Sequence, residues 1–280
     1  MSKPKLLFDE VGRWSEIKLE IIKKYASAYS KILSAQRGFQ HSYIDGFAGA
    51  GVHLSRETRG FIPGSPLNAL NVTPPFKHYY LVDLDGGRIQ SLRGLIGARS
   101  DVTLLEGDCN DVLLQTILPR IQYTRRRRAL CLLDPYGLDL DWKVIATAGK
   151  LGTIDMFLNF PIMDINRRAL WTRPSRTPAH YAAALTRFWG DETWKDAAYH
   201  PSAQEDLFGE VDLQKVTNGA VVAAFRNRLR DVAGFRNVPE PMPMKNSTGS
   251  DVYYLFFASQ NDTANKIIKD IFQKYTKGSR

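Results

Sequence analysis

The stretch Tyr43–Gly51, YIDGFAGAG, decides how the rest of the chain is read. An apolar run ends on an acid, Asp45, and glycines follow at 46, 49 and 51. A strand running into such a turn is a common start for a nucleotide-binding loop, because the turn offers backbone N–H groups to a ligand. A sharp turn in an ordinary fold is the plainer reading. The glycine order narrows the ligand. A dinucleotide loop needs G-x-G-x-x-G directly after the strand, with an acid about 20 residues further on. Here the order is G-x-x-G-x-G, Asp45 sets a carboxylate where pyrophosphate would be repelled, and the next strand-end acid, Asp83, comes late.

Outward from this turn, short apolar runs alternate with helical patterns. HSYIDGF, HYYLVD, VTLLEGD, RALCLLD and IDMFLNF read as five strands. SPLNALNV, GGRIQSLRGLIG, CNDVLLQTIL and LDWKVIATAGK read as helices, the first with Ser65 as N-cap and Pro66 at its first position. Strict alternation, with strands apolar on both faces, implies a doubly wound, mostly parallel α/β sheet. Before it, SEIKLEIIKKYASAYSKIL has helical spacing with Ser15 as N-cap. After it come the helix AVVAAFRNRLRDVAG, two strands within VPEPMPMKNSTGSDVYYLFFASQ, the last of them antiparallel, and the helix DTANKIIKDIFQKY. The expected division is an N-terminal helical lead (1–40), a cofactor-binding core (41–160), a helical, substrate-facing insertion (161–218) and a C-terminal helix-strand-strand-helix unit that completes the core (219–280).

Two cysteines and five histidines without ligand spacing argue against a metal centre. No stretch approaches the roughly 18 apolar residues of a membrane span, and MSKPKLLFDEVGRW lacks the apolar core of a secretion signal. A cytoplasmic protein is expected. The net charge of +9 favours an anionic partner such as nucleic acid.

The chemistry lies in a recurrence. Four successive strands end in aspartate: Asp45, Asp83, Asp108 and Asp134. In a parallel sheet these ends line one crevice. A carboxylate row disfavours phosphates and suits hydroxyls, amino groups and a cation, all of which S-adenosylmethionine supplies. Aspartate also ends strands because it makes good turns and N-caps, but that explains one such residue more easily than four.

These segments resemble the class I S-adenosylmethionine-dependent methyltransferases: YIDGFAGAG their first motif, YYLVDLD their second-strand acid, LEGDC their adenine contact and LLDPYG their fourth-strand motif. The resemblance implies that Asp45 with Gly46, Phe47, Gly49 and Gly51 holds the methionine moiety. It implies that Asp83, or Asp85 in its stead, takes the ribose, and Asp108 with Cys109 the adenine. More narrowly, the chain is similar to the three-Cys-motif partner family through WSEIKLEIIKKY, YIDGFAGAG, GSPLNAL, LLDPYG and DVYYLFFAS. That likeness implies a genomic partner resembling radical S-adenosylmethionine enzymes, which carries the cysteines. A non-catalytic, cofactor-binding subunit of such a protein is the second reading; a nucleotide-binding oxidoreductase is the third.

Asp134, Pro135 and Tyr136 are the candidate catalytic residues. In amino-group methyltransferases, an Asp/Asn-Pro-Pro-aromatic turn accepts hydrogen bonds from the amine and stacks on the base. One proline is missing here and Gly137 follows the tyrosine, so a structural turn is the alternative. VHLSRETRGFIPG, after the glycine turn, reads as a surface loop or as a segment carrying Arg56 and Arg59 over the site. Arg167, Arg168, Trp171, Arg173 and Arg176 follow the fifth strand on the crevice side, suited to a phosphate backbone or a stacked base, or else to an ordinary charged insertion. The run Arg125–Arg128 precedes the fourth strand and belongs at the opposite edge, as a solvated connection or a secondary contact patch.

Overall fold

The ends of seven strands set the architecture. The structure, a computed structural model, describes residues 9–171, 177–205, 211–246 and 248–277. The strands are β1 (Glu10–Val11), β2 (Gln40–Asp45), β3 (Val52–Ser55), β4 (Phe61–Pro63), β5 (His78–Asp83), β6 (Val102–Glu106), β7 (Arg127–Leu133), β8 (Ile154–Phe160), β9 (Tyr199–Glu205), β10 (Val211–Lys215), β11 (Met242–Lys245) and β12 (Asp251–Ala258). The helices are α1 (Arg13–Ser34), α2 (Ser65–Leu70), α3 (Gly86–Ile96), α4 (Cys109–Val112), α5 (Trp142–Leu151), α6 (Ile162–Arg168), α7 (Ala179–Trp189), α8 (Trp194–Ala198), α9 (Asn218–Asp231) and α10 (Asp262–Lys277).

The main sheet has the order β11-β12-β8-β7-β2-β5-β6. Its strands pair in parallel except at β12, which runs antiparallel to both β8 and β11. Counted along the chain within this sheet, the order is 3-2-1-4-5-7-6 with the seventh strand reversed. The switch point lies between β2 and β7, so Asp45 and Asp134 end neighbouring strands.

Side chains alternate between two cores. Tyr43, Leu130 and Leu132 join Ile21, Tyr25 and Phe257 on the face covered by α1 and α10. Ile44, Cys131 and Leu133 join Ile145, Leu185 and Phe225 on the face covered by α5, α7 and α9. Burial on both faces is why these strands read as unbroken apolar runs. No helix among the described residues is long and apolar enough to cross a membrane.

Several expected details move. Gly12, extended, caps α1, and Ser15 N–H already donates to its carbonyl (2.9 Å), so Ser15 lies inside the first turn. Gly64 caps α2, again without a side-chain bond, and Ser65 becomes its first residue. CNDVLLQTIL is not one regular helix: α4 widens into a π-helical stretch (Leu113–Ile117) and tightens at Leu118–Arg120. VHLSRETRGFIPG is a hairpin, β3 antiparallel to β4 with β1 parallel to β3, forming a second sheet. The insertion is helical only to Ala198; β9 and β10 then pair as a second hairpin. Its α7 and α8 bury Phe188, Trp189 and Trp194 in the same core as the sheet.

Gly149 shows how closely that face is packed. A Cβ there would lie 2.0 Å from the Ala233 carbonyl oxygen, a backbone atom that cannot swing aside. Gly149→Ala is expected to cost about 1–3 kcal/mol through overpacking. Thermal melting should fall by several degrees, roughly 2–4 °C per kcal/mol at this size, whereas alanine at Gly94, which meets nothing within 4 Å, should not lower it.

Candidate functional site

The glycine turn is pinned from three sides. Gly46 N–H donates to Leu132 O (3.0 Å), Ala48 N–H to Val82 O (2.8 Å) and Gly49 N–H to Asp83 Oδ2 (2.8 Å). Gly49 has φ +66°, a left-handed conformation that favours glycine. At Gly46 the reason is contact, since a Cβ would lie 2.7 Å from Cys109 Sγ. Asp45 is fully buried beneath the turn, taking hydrogen bonds from Tyr43 Oη (3.2 Å) and Phe47 N–H (3.3 Å). Burial pushes its carboxyl up to about 6, against the bonds from Ser65, Phe47 and Tyr43, while Asp134 adds to the rise. Asp45 thus shapes the turn from below and lines neither of the two cavities that flank it.

The first cavity, about 540 Å³, opens beyond β2, β5 and β6 and is lined by Gly46, Phe47, Asp83, Leu84, Asp108 and Asn110 among others. Asp83 also accepts from Asp85 N–H (2.9 Å) through its other oxygen. A carboxylate has about four acceptor sites, so capacity remains for ligand hydroxyls. Asp85 and Asp108 act as N-caps: Asp85 takes the Gly87 and Arg88 N–H groups, Asp108 those of Asn110 and Asp111. Asp108 lines this cavity, whereas Asp85 lies on the shallower surface beside Arg88 and Tyr136. Cys109 packs under Gly46, its thiol pushed well up by burial. Leu84, 72% exposed, gives the cavity an apolar wall. Carboxylates beside apolar surface at the end of a glycine turn fit an adenosyl group.

The second cavity, about 380 Å³, lies over β7 and β8. Lys18, buried on α1, forms an ion pair with Asp134 Oδ2, its ammonium 5.2 Å from the Tyr253 ring centre. Burial pulls the Lys18 ammonium down, but Asp134, Tyr253 and Asp45 outweigh it and hold the group above its ordinary value. Asn159, 8% exposed on β8, lines this cavity with its Oδ1 lacking any hydrogen-bond partner. His53 on β3 also faces it, and burial, then Lys18, lower its basicity.

Tyr136 borders both cavities. Its hydroxyl donates to Asp9 Oδ2 (2.6 Å) and accepts from Arg88 Nη1 (2.5 Å), while Arg88 pairs with Asp9 (3.0 Å). Pro135 and Gly137 line the second cavity with it. Arg56 and Arg59 lie outside both: they are exposed on the β3–β4 hairpin and face Glu10 at 3.6 and 3.9 Å. Arg167 and Arg168 stand at the rim, paired with Asp164, which does line the second cavity. Trp171 is 37% exposed and donates to Arg167 O (3.1 Å). Arg173 and Arg176 lie outside the described residues.

No family model matches the sequence, nor does any curated protein. Among solved structures, protein LPL1258 from Legionella pneumophila is similar over 92% of this chain and 91% of its own, with a TM-score of 0.52 and 12% identity. That likeness bears on the fold alone, and the strand order with its reversed seventh strand identifies which fold it is. This is the class I methyltransferase fold. Trm1 from Pyrococcus horikoshii, in complex with S-adenosyl-L-methionine, is similar at a TM-score of 0.45 and 12% identity, covering 89% of this chain and 57% of Trm1. The N-methyltransferase NodS from Bradyrhizobium japonicum, in complex with S-adenosyl-L-homocysteine, gives 0.42 and 10% over 89% of each chain.

Four residues facing these cavities escaped the sequence reading: Lys18, His53, Leu84 and Asn159. Lys18 carries a usable signal, because it sits on the apolar stripe with Ile22, Tyr25 and Tyr29, where a lysine needs a buried partner. Asp45 gives a test of the electrostatics. Its folded carboxyl lies above the ordinary 3.8, so its contribution to stability falls as pH rises from there to about 6. Asp155 shares that direction, so the comparison must be with a variant. Asp45→Asn removes the penalty while keeping the acceptor for Phe47 N–H. Relative to wild type, its melting temperature should improve between pH 4 and pH 7; a constant difference would overturn the assignment.

Proposed function

We propose that this protein is an S-adenosylmethionine-dependent methyltransferase that methylates a nitrogen, with nucleic acid as the substrate class. The observation carrying this reading is the pairing of two cavities across Tyr136: one lined by carboxylates and apolar surface, the other by Asp134 and Asn159, each with a side-chain oxygen that takes no hydrogen bond among the described residues. Asp134 Oδ2 is engaged by Lys18, and among the described residues its Oδ1 takes no hydrogen bond. Asn159 Oδ1 is likewise unpartnered. Two acceptors in one cavity suit an amino group with two N–H donors, and Tyr136 offers a ring face beside them.

S-adenosylmethionine, when bound, supplies a methyl group on a sulfonium. Asp83 and Asp108 would meet its ribose and adenine, and the glycine turn its methionine end. Asp134 and Asn159 then orient the acceptor nitrogen with its lone pair forward, and positioning supplies most of the acceleration. Resemblance to the three-Cys-motif partner family adds a partner protein to the proposal.

The test combines calorimetry with label transfer. S-adenosylhomocysteine should bind and NAD should not, and Asp83→Ala should weaken binding roughly tenfold or more by removing charge-assisted hydrogen bonds. Labelled methyl from S-adenosylmethionine should reach total RNA or DNA, and Asp134→Ala should slow this by about a hundredfold or more. Cofactor binding without transfer, with or without a three-Cys-motif protein, would replace the enzyme by a binding subunit.

A further inference from the structure

The edge of the sheet opposite the crevice carries charge in a different state. Around the crevice, Arg56, Arg59, Arg88, Arg167, Arg168 and Arg187 each face a carboxylate. At the N-terminal ends of β2, β5 and β7, Lys77, Arg120, Arg125, Arg126 and Arg127 gather, and among the described residues none of them forms an ion pair. Their proximity is set by the backbone. Lys77 N–H donates to His41 O (2.9 Å), Gln40 N–H to Arg126 O (3.1 Å), and Arg127 Nη1 to Arg120 O (3.1 Å). Two histidines lie within reach of these cations, and burial is the main cause of the shift in each. Burial and then Lys77 lower His41 to about 4. Burial lowers His78 too, where Arg120 and Arg127 act against Asp101.

Beside this strip the Arg128 guanidinium lies over two rings, 4.4 Å from the Tyr123 centroid and 5.1 Å from that of Phe39. Tyr123 is 66% exposed. The three residues border a recess of about 560 Å³. Tyr29, which also lines it, has a buried hydroxyl with no hydrogen-bond partner.

We infer that this edge binds single-stranded nucleic acid, with the unpaired cations on backbone phosphates and a base against the Tyr123–Arg128–Phe39 stack at the mouth of the recess. An aromatic–guanidinium stack matches the flat face of a base, which a duplex keeps covered. An anionic membrane would want a broad apolar face beside the charge, whereas the large side chains exposed here are Tyr123, at 66%, and Ile32, at 38%, on the recess wall. An acidic protein would answer the charge and leave the stack unused. The seven residues of β7 span about 23 Å at 3.3 Å per residue, so this edge anchors a strand at a distance from the crevice. It requires neither cofactor nor transfer and stands apart from the proposed reaction.

The experiment is fluorescence anisotropy on the full chain. The probe is an oligonucleotide of about 12 nucleotides, within the usual single-strand site range, made as RNA, as DNA and as a duplex and titrated at several salt concentrations. Either single strand should bind more tightly than the duplex. Arg125→Glu with Arg126→Glu should weaken binding about tenfold or more and flatten the salt dependence by roughly 0.7 in log–log slope for each phosphate that the variant no longer neutralises. Tyr123→Ala should weaken it about tenfold with the slope unchanged. Circular dichroism should confirm that all variants fold. Equal binding by wild type and the charge-reversed variant overturns the inference. So does wild-type binding to phosphatidylserine vesicles or polyglutamate with none to the oligonucleotides, which would make the edge a membrane or protein contact.

Discussion

Asp83 joins two turns with one carboxylate. One oxygen accepts from Gly49 in the glycine turn, and the other from Asp85 at the start of α3. The two parallel strands β2 and β5 are thereby fastened to each other beyond their last ladder bonds, just where a parallel sheet runs out of partners. The shape of the first cavity, the path of the chain toward β3 and the exposure of Leu84 all follow from that junction. A buried charge-assisted bond to backbone N–H also resists exchange with water.

The second organising interaction arrives from far away in sequence. Lys18 reaches Asp134 across 116 positions, and it does so because α1 lies over the face that holds β7 and β12. A buried ion pair of this kind contributes little net stability, yet breaking it is expensive. Its effect here is to fix which oxygen of Asp134 remains open to the second cavity.

The sheet and most of the strand-end acids were legible in the sequence, because parallel strands buried on both faces leave unbroken apolar runs such as RALCLLD. The hairpin β3–β4 was not legible. VHLSRETRGFIPG has too few alternating positions to show a period of two, and its strands are four and three residues long. The hairpin β9–β10 was hidden by composition instead: YHPSAQE and VDLQK are long enough for strands but mostly polar, and the first carries a proline. Asp85 and Asp108 carried two meanings at once. The structure gives both the capping role that local chemistry favours, and Asp108 still borders the cavity. Lys18 and Asn159 needed the tertiary fold, since a side chain's neighbour in space cannot be counted along the chain. The missing proline of LLDPYG left Tyr136 undecided, and its hydrogen bonds to Asp9 and Arg88 supply the restraint that a second proline would otherwise give.

The close approach of Gly46 and Cys109 has an evolutionary meaning. The sulfur occupies the space a side chain at 46 would need, so the turn after β2 and the first residue of α4 share one volume. Drift at either site is therefore conditional on the other. Alanine at 46 would need both a smaller residue at 109 and a shift of the Leu133 side chain, which a Cβ there would meet at 3.0 Å.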